Sequence, residues 1–132
     1  MTAEVFLRSA RTVAVVGLSS DPLRPSHGVA RYLQAHGYRV IPVNPRETMV
    51  LAQVAYPRLE DIPERVDIVD VFRRTEAVPE IAVAAITIGA KMLWLQEGVT
   101  HPAAEAQARA AGLIVVADRC ILKVHRSLPP LP

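Results

Sequence analysis

Five apolar runs punctuate the chain, each short and nearly unbroken: 12–17 (TVAVVG), 39–43 (RVIPV), 66–72 (VDIVDVF), 91–95 (KMLWL) and 113–117 (LIVVA). A strand with one face in water alternates apolar and polar residues. A strand covered on both faces need not. These runs therefore predict strands buried on both sides. The segments between them predict helices at about 26–36, 76–88 and 102–111, preceded by a short amphipathic helix at about 3–10.

The helix ends carry a repeated mark. Gly37, Gly89 and Gly112 each stand just before an apolar run. Glycine past the end of a helix adopts the left-handed conformation that terminates it without steric cost. Ser26 is the expected cap of the first long helix, Thr75 of the second, and Thr100 or His101 of the third. Pro79 and Pro102 fall in first turns, where proline is tolerated. Segment 46–65 breaks the rhythm, with VAYPRLEDIPERV predicting an extended piece and one helical turn. The tail SLPPLP predicts a non-helical ending.

A repeated strand–helix–glycine order is the sequence form of a parallel sheet with helices on both faces. With right-handed crossovers the expected fold is a three-layer α/β Rossmann-like domain over residues 1–132, with five parallel strands in the order 3-2-1-4-5. Such sheets take ligands at the carboxyl ends of their strands. The candidate chemistry therefore lies just after residues 17, 43, 72, 95 and 117.

Composition narrows the classes of function. The 132 residues suffice for one domain with a core. The longest apolar run falls short of the roughly 18 residues of a membrane span, and the amino terminus lacks a signal-peptide pattern. Cys120 is the one cysteine, so no internal disulfide can form, and a cytoplasmic location is expected. The net charge is +2, and the basic residues, 13 Arg and 2 Lys, are scattered. That excludes the basic stripe of a nucleic-acid binder. Arginine binds phosphate bidentately, although a bias in genome composition would also raise its count.

At the first strand end, Gly17 permits a tight turn, and Ser19, Ser20 and the following helix N-terminus can donate to a phosphate, with Arg24 in reach. The second and third glycines of a dinucleotide fingerprint are missing, and DPLRP lengthens the loop. At the second end, the strand runs through Pro42 to Asn44 and Arg46, where an NAD site would carry an acid for the ribose hydroxyl. An arginine there favours a phosphorylated adenosine ribose, or else it is a solvated loop charge. Val71 and Phe72 could pack on adenine, with Arg73 and Arg74 beside them. Gln96 and Gly98 follow the fourth run. Asp118, Arg119 and Cys120 follow the fifth, and His125 is a weak partner for a nucleophilic thiol. No metal-ligand spacing, nucleophile elbow or Walker motif is present.

The stretches VAVVGLSSDPLRPSHGVARYLQAHGYRVIPVNP, VDIVDVFRRTEAVPEI and KMLWLQEGVTHPAAEAQARAAGLIVVADRC resemble the stand-alone coenzyme A-binding proteins. These are similar to the N-terminal domain of the succinyl-CoA synthetase alpha subunit. The resemblance spans about residues 5–128. Its most specific parts are the GxSxxPxRPS turn, the GYxVIPVNP strand and the VDxVDVFR block. It implies coenzyme A across the strand ends, with Gly17, Ser19 and Ser20 meeting phosphates. Pro42, Asn44 and Arg46 would lie near the adenosine, and Val71, Phe72 and Arg73 near the adenine and pantetheine. In the synthetases the phosphohistidine lies in a second domain, so the fold and ligand carry over and the reaction does not.

The expected function is thus binding of coenzyme A or an acyl-CoA, without complete catalytic machinery and without a catalytic or metal-binding residue. Two alternatives remain at this point. One is an NADP-dependent reductase, motivated by the same arginines. The other is a regulatory subunit whose ligand controls a protein partner.

Overall fold

The computed structural model describes residues 1–130. The last two residues of the predicted non-helical tail lie outside them. In chain order the elements are α1 (Ala3–Ser9), β1 (Thr12–Val16), α2 (Pro25–Ala35), β2 (Arg39–Val43), β3 (Met49–Val50), β4 (Gln53–Val54), β5 (Ile68–Val71), α3 (Val78–Thr87), β6 (Met92–Leu95), α4 (Pro102–Ala110), β7 (Ile114–Val116) and α5 (Ile121–Ser127). Single 3-10 turns cover Leu59–Asp61 and Thr75–Ala77. The five predicted strands all form, each within a residue or two of its predicted ends.

Their order across the parallel sheet is β2-β1-β5-β6-β7. Beyond β2, Tyr56 makes one parallel bridge to Val43. Its N–H donates to the Pro42 carbonyl at 3.0 Å, and its carbonyl accepts from Asn44 at 2.9 Å. Counted as a rudimentary edge strand, Tyr56 gives the 3-2-1-4-5 arrangement, and β7 adds a sixth place. The third place thus belongs to Tyr56. The run 66–72, read as the third strand from sequence, instead takes the fourth place, in the centre beside β1. All four residues of β5 are buried, and each pairs in register with both β1 and β6. At an edge, its backbone would lose one of these two hydrogen-bonding neighbours. The polar, proline-broken segment 46–65 can fill only a margin. Pro42, which has no N–H to give, is tolerated because β2 is the outermost full strand.

The two faces of the sheet make two cores. Ala14, Val16, Val69, Val71, Leu93 and Leu95 pack with α3 and α4. Val13, Val15, Ile68, Met92 and Trp94 pack with α1, α2 and α5. This double covering is why the apolar runs do not alternate.

Gly37, Gly89 and Gly112 all follow helices with positive φ, as expected. His101 caps α4, its Nδ1 accepting from the Ala104 N–H at 3.1 Å. Two other caps differ from expectation. Arg24 holds the cap position of α2, with no side-chain cap bond, and Pro25 begins the helix, leaving Ser26 inside its first turn. Thr75 opens a 3-10 turn, and Ala77 precedes α3. Two elements escaped the sequence reading. One is α5, which buries Ile121 and Val124. The other is the β3–β4 hairpin, whose turn holds Leu51 and Ala52 at φ 52° and 62°. Asn-Gly would have signalled such a turn; Leu-Ala does not.

Candidate functional site

The carboxyl ends of β1, β2, β5 and β6 converge on one edge, and Gly17 stands at its centre. Its φ is +89°. A Cβ built there would collide with the Phe72 carbonyl oxygen and lie 3.1 Å from the Arg73 Cδ. Glycine is thus required twice, once for its backbone angle and once because the end of β5 passes directly against it. Its own N–H continues the ladder to the Val43 carbonyl at 2.8 Å.

The loop that follows satisfies its own backbone. Ser19 N–H donates to the buried Ser26 hydroxyl at 3.1 Å. Ser20 N–H donates to the Glu47 carboxylate at 2.7 Å. Asp21 N–H donates to the Ser19 hydroxyl at 3.0 Å, and Leu23 N–H to the Asp21 carboxylate at 2.9 Å. Ser19 and Ser20 lie on the expected edge, but their N–H groups already have acceptors. Residues 20–25 are exposed and Ser19 is half-buried, so these bonds fix the shape of the loop in competition with water. Ser26 is therefore a brace for the turn rather than a helix cap. Glu47, overlooked in the sequence, places a carboxylate on the amide assigned to phosphate.

Asn44 ties the second strand end to the first. Its Nδ2 donates to the Leu18 carbonyl at 3.1 Å, and its Oδ1 accepts from Arg46 N–H at 3.0 Å. Pro42 and Val71 are buried and lie behind the edge. Phe72, half-buried, is the apolar residue that reaches it. Arg24, Arg46, Arg73 and Arg74 are exposed. Among the described residues none of them enters an ion pair; the paired arginines are Arg39, Arg58, Arg109 and Arg119. Four uncommitted guanidinium groups thus belong to the segments that meet at one edge of the sheet.

Gln96 turns inward. It is 5% exposed, and its Nε2 donates to the Asp70 carboxyl at 2.5 Å. Asp70 is wholly buried in the middle of β5, and its second oxygen has no hydrogen-bond partner. Removal from water pushes its pKa up to about 7, against which the Gln96 bond works. Sequence reasoning took Gln96 for a ligand contact; the structure gives its side chain to Asp70. The Gly98 N–H is likewise engaged, donating to Asp118 at 2.7 Å.

At the β6 and β7 ends a cavity of about 250 Å³ is lined by Glu97, Asp118, Arg119, Cys120, Lys123, Val124 and Ser127. Lys123 pairs with Glu97 at 3.1 Å. Cys120 lies here, but His125 faces elsewhere, its Nδ1 paired with the Tyr32 hydroxyl at 2.8 Å. Burial, then His36 and Arg8, hold His125 below its usual pKa. It borders a larger cavity, about 590 Å³, at the opposite end of the sheet, with Arg8, Arg11, His36 and Tyr38. Size alone would favour that cavity. The parallel sheet argues for the other end, because helix N-termini converge there, and Arg8 already donates to the Pro129 carbonyl. Among the described residues no group of three or more His, Cys, Asp or Glu could hold a metal, and no helix is long and apolar enough to cross a membrane.

Residues 11–126 match the family described as CoA binding domain, and the chain belongs to that family. It is 39% identical over 122 residues to the uncharacterized protein YneT of Bacillus subtilis, covering 92% of this chain and 90% of that protein. A second relative, the ADP-forming acetate–CoA ligase II of Archaeoglobus fulgidus, is 30% identical over 83 residues, which are 61% of this chain and 12% of the ligase. Among solved structures, a hypothetical protein from Pyrococcus horikoshii OT3 superposes with a TM-score of 0.90 at 38% identity, over 96% of this chain and 91% of that one. A protein from Thermus thermophilus gives 0.89 at 42%, over 92% of both chains.

Proposed function

We propose that the protein binds coenzyme A, or an acyl-CoA, across the carboxyl edge of the sheet, and that it acts by binding rather than through complete catalytic machinery of its own. Membership of the family supports the ligand. The observation that carries the location is the meeting of a Cβ-free turn at Gly17 with four unpaired arginines on neighbouring strand ends. Coenzyme A brings a pyrophosphate and a ribose 3′-phosphate, and guanidinium groups suit both. Arg46 follows the strand whose end faces the adenosine ribose in Rossmann-like sites, so it is assigned to the 3′-phosphate. Arg24, Arg73 and Arg74 remain for the pyrophosphate, and Phe72 for the adenine.

Calorimetric titration with coenzyme A, dephospho-coenzyme A, NADP and NAD tests this reading. Coenzyme A binds most tightly. Dephospho-coenzyme A binds roughly tenfold or more weakly, the worth of one charge-assisted hydrogen bond of about 1.5–3 kcal/mol. Arg46→Met erases that preference and leaves dephospho-coenzyme A nearly unaffected. Tight NADP binding with no response to coenzyme A overturns the reading.

A further inference from the structure

Resting on the coenzyme A reading above, we propose that Asp70 is a proton-linked positioning residue of this site: its buried carboxyl holds Gln96 at the sheet edge, and coenzyme A binds most tightly when that carboxyl carries its proton.

The geometry sets the conditions. Asp70 pairs in register with Val15 of β1 on one side and Trp94 of β6 on the other. It shares their face of the sheet, where Leu7 of α1, Val29, Ala30 and Leu33 of α2, and Ile121 and Val124 of α5 all pack. Every one of these is apolar. The titratable groups that border the face are already engaged or set apart. The Tyr38 hydroxyl donates to the Leu7 carbonyl, Tyr32 and His125 pair with each other, and Cys120, half-buried, stands at the N-cap position of α5 without a side-chain cap bond. The Trp94 ring N–H is spent on the Arg119 carbonyl at 2.8 Å. Among the described residues no charged group acts on the Asp70 carboxyl; burial dominates, opposed by the Gln96 bond.

A carboxylate in this position would hold a full charge on one hydrogen bond, with its second oxygen bare. That is a costly state, relieved by a proton or by water. The route for water is short, because Gln96 immediately follows β6 and its backbone spans from the Val71 carbonyl to the Val99 N–H. Ionisation of Asp70 therefore strengthens its bond to Gln96 but draws water toward the bare second oxygen, at the edge where the ligand is to lie. A bound coenzyme A works in the other direction. It excludes water from the edge and adds negative phosphates, and both effects favour the neutral carboxyl. By linkage, whatever raises the Asp70 pKa on binding makes affinity fall as pH rises past its value in the free protein.

The protein has a single tryptophan, Trp94, and it sits beside Asp70. Its fluorescence, followed from pH 5 to 9 without ligand, reports the carboxyl directly. The expected result is a transition near pH 7, where Asp70 titrates, that disappears in Asp70→Asn. Calorimetric titration with coenzyme A from pH 6 to 9 then gives a dissociation constant that rises with pH, at most tenfold per unit in the limiting case. Asp70→Asn, which is nearly isosteric, flattens this rise. Gln96→Met removes the bond that lowers the carboxyl's pKa, so it moves the Trp94 transition upward and serves should Asp70→Asn fail to fold. Identical pH profiles for the wild type and Asp70→Asn, or an unmoved Trp94 transition in Gln96→Met, overturn the proposal. If coenzyme A binds at no pH, the functional reading falls instead, and the Trp94 titration still shows whether Asp70 takes up its proton near pH 7.

Discussion

Replacing Gly17 with alanine adds one methyl group, and the structure sets its cost. The φ of +89° lies where a side chain costs about 1–2 kcal/mol. The new Cβ also meets the Phe72 carbonyl oxygen, 3.1 Å from that carbonyl's carbon and from the Arg73 Cδ. Arg73 is exposed and can swing aside. The Phe72 backbone cannot move alone, because its N–H donates to the Val16 carbonyl at 2.9 Å as the last rung between β1 and β5. Losing that rung costs a further 0.5–1.5 kcal/mol or so. The sum is about 1.5–3.5 kcal/mol, or roughly 10 °C in Tm for a domain of this size. Gly37→Ala is the control, because Gly37 has φ +92° with nothing within 4 Å of the added methyl. It pays the backbone cost alone, about 1–2 kcal/mol. Urea unfolding of both variants measures the difference directly. Equal losses would show that β5 yields to the methyl without cost, and the close approach at the heart of the proposed site would lose its meaning. The structure also shifts the reason for a binding defect at this position: the methyl points at the chain, so a loss of coenzyme A affinity follows from parting of the strand ends.

Three further outcomes are expected. Asp70 has a folded pKa above its unfolded value, so the native state holds an extra proton between pH 4 and 7; stability falls across that window by up to about 4 kcal/mol, and in Asp70→Asn, followed by urea unfolding, the decline is lost. Glu47→Gln removes a carboxylate from the Ser20 amide, and coenzyme A should bind several-fold more tightly in low salt, with the gain shrinking as salt is raised; unchanged affinity would place the phosphates away from this loop. Arg39 and Glu64 pair at 2.8 Å in a half-exposed position, the arginine lowering the carboxyl's pKa. Glu64→Gln should therefore cost under about 1 kcal/mol at neutral pH, and the cost should vanish as acid protonates the native carboxyl; a loss of several kcal/mol would contradict the solvent-screened picture.

Element type was legible from the chain because its causes are local. Unbroken apolar runs need two covered faces, and glycines past helix ends need no neighbours to act, so five strands and four helices could be read directly. The helix α5 was not, because ILKVHRS is too short for its spacing of Ile121 and Val124 to stand out before α1 and α2 provide a surface. The place of β5 in the centre was likewise a tertiary decision. Any of the apolar runs could pair with β1, and only the assembled sheet put 68–71 between β1 and β6 and left Tyr56 at the margin. At the site, the sequence marked the edge and its arginines, since parallel strands must end together. It could not say which N–H groups were already spent. Glu47 on Ser20, Ser26 on Ser19 and Gln96 on Asp70 join residues 27, 7 and 26 positions apart. Such pairs exist only after the sheet has brought the loops together, because a hydrogen bond depends on distance in space and carries no periodicity along the chain.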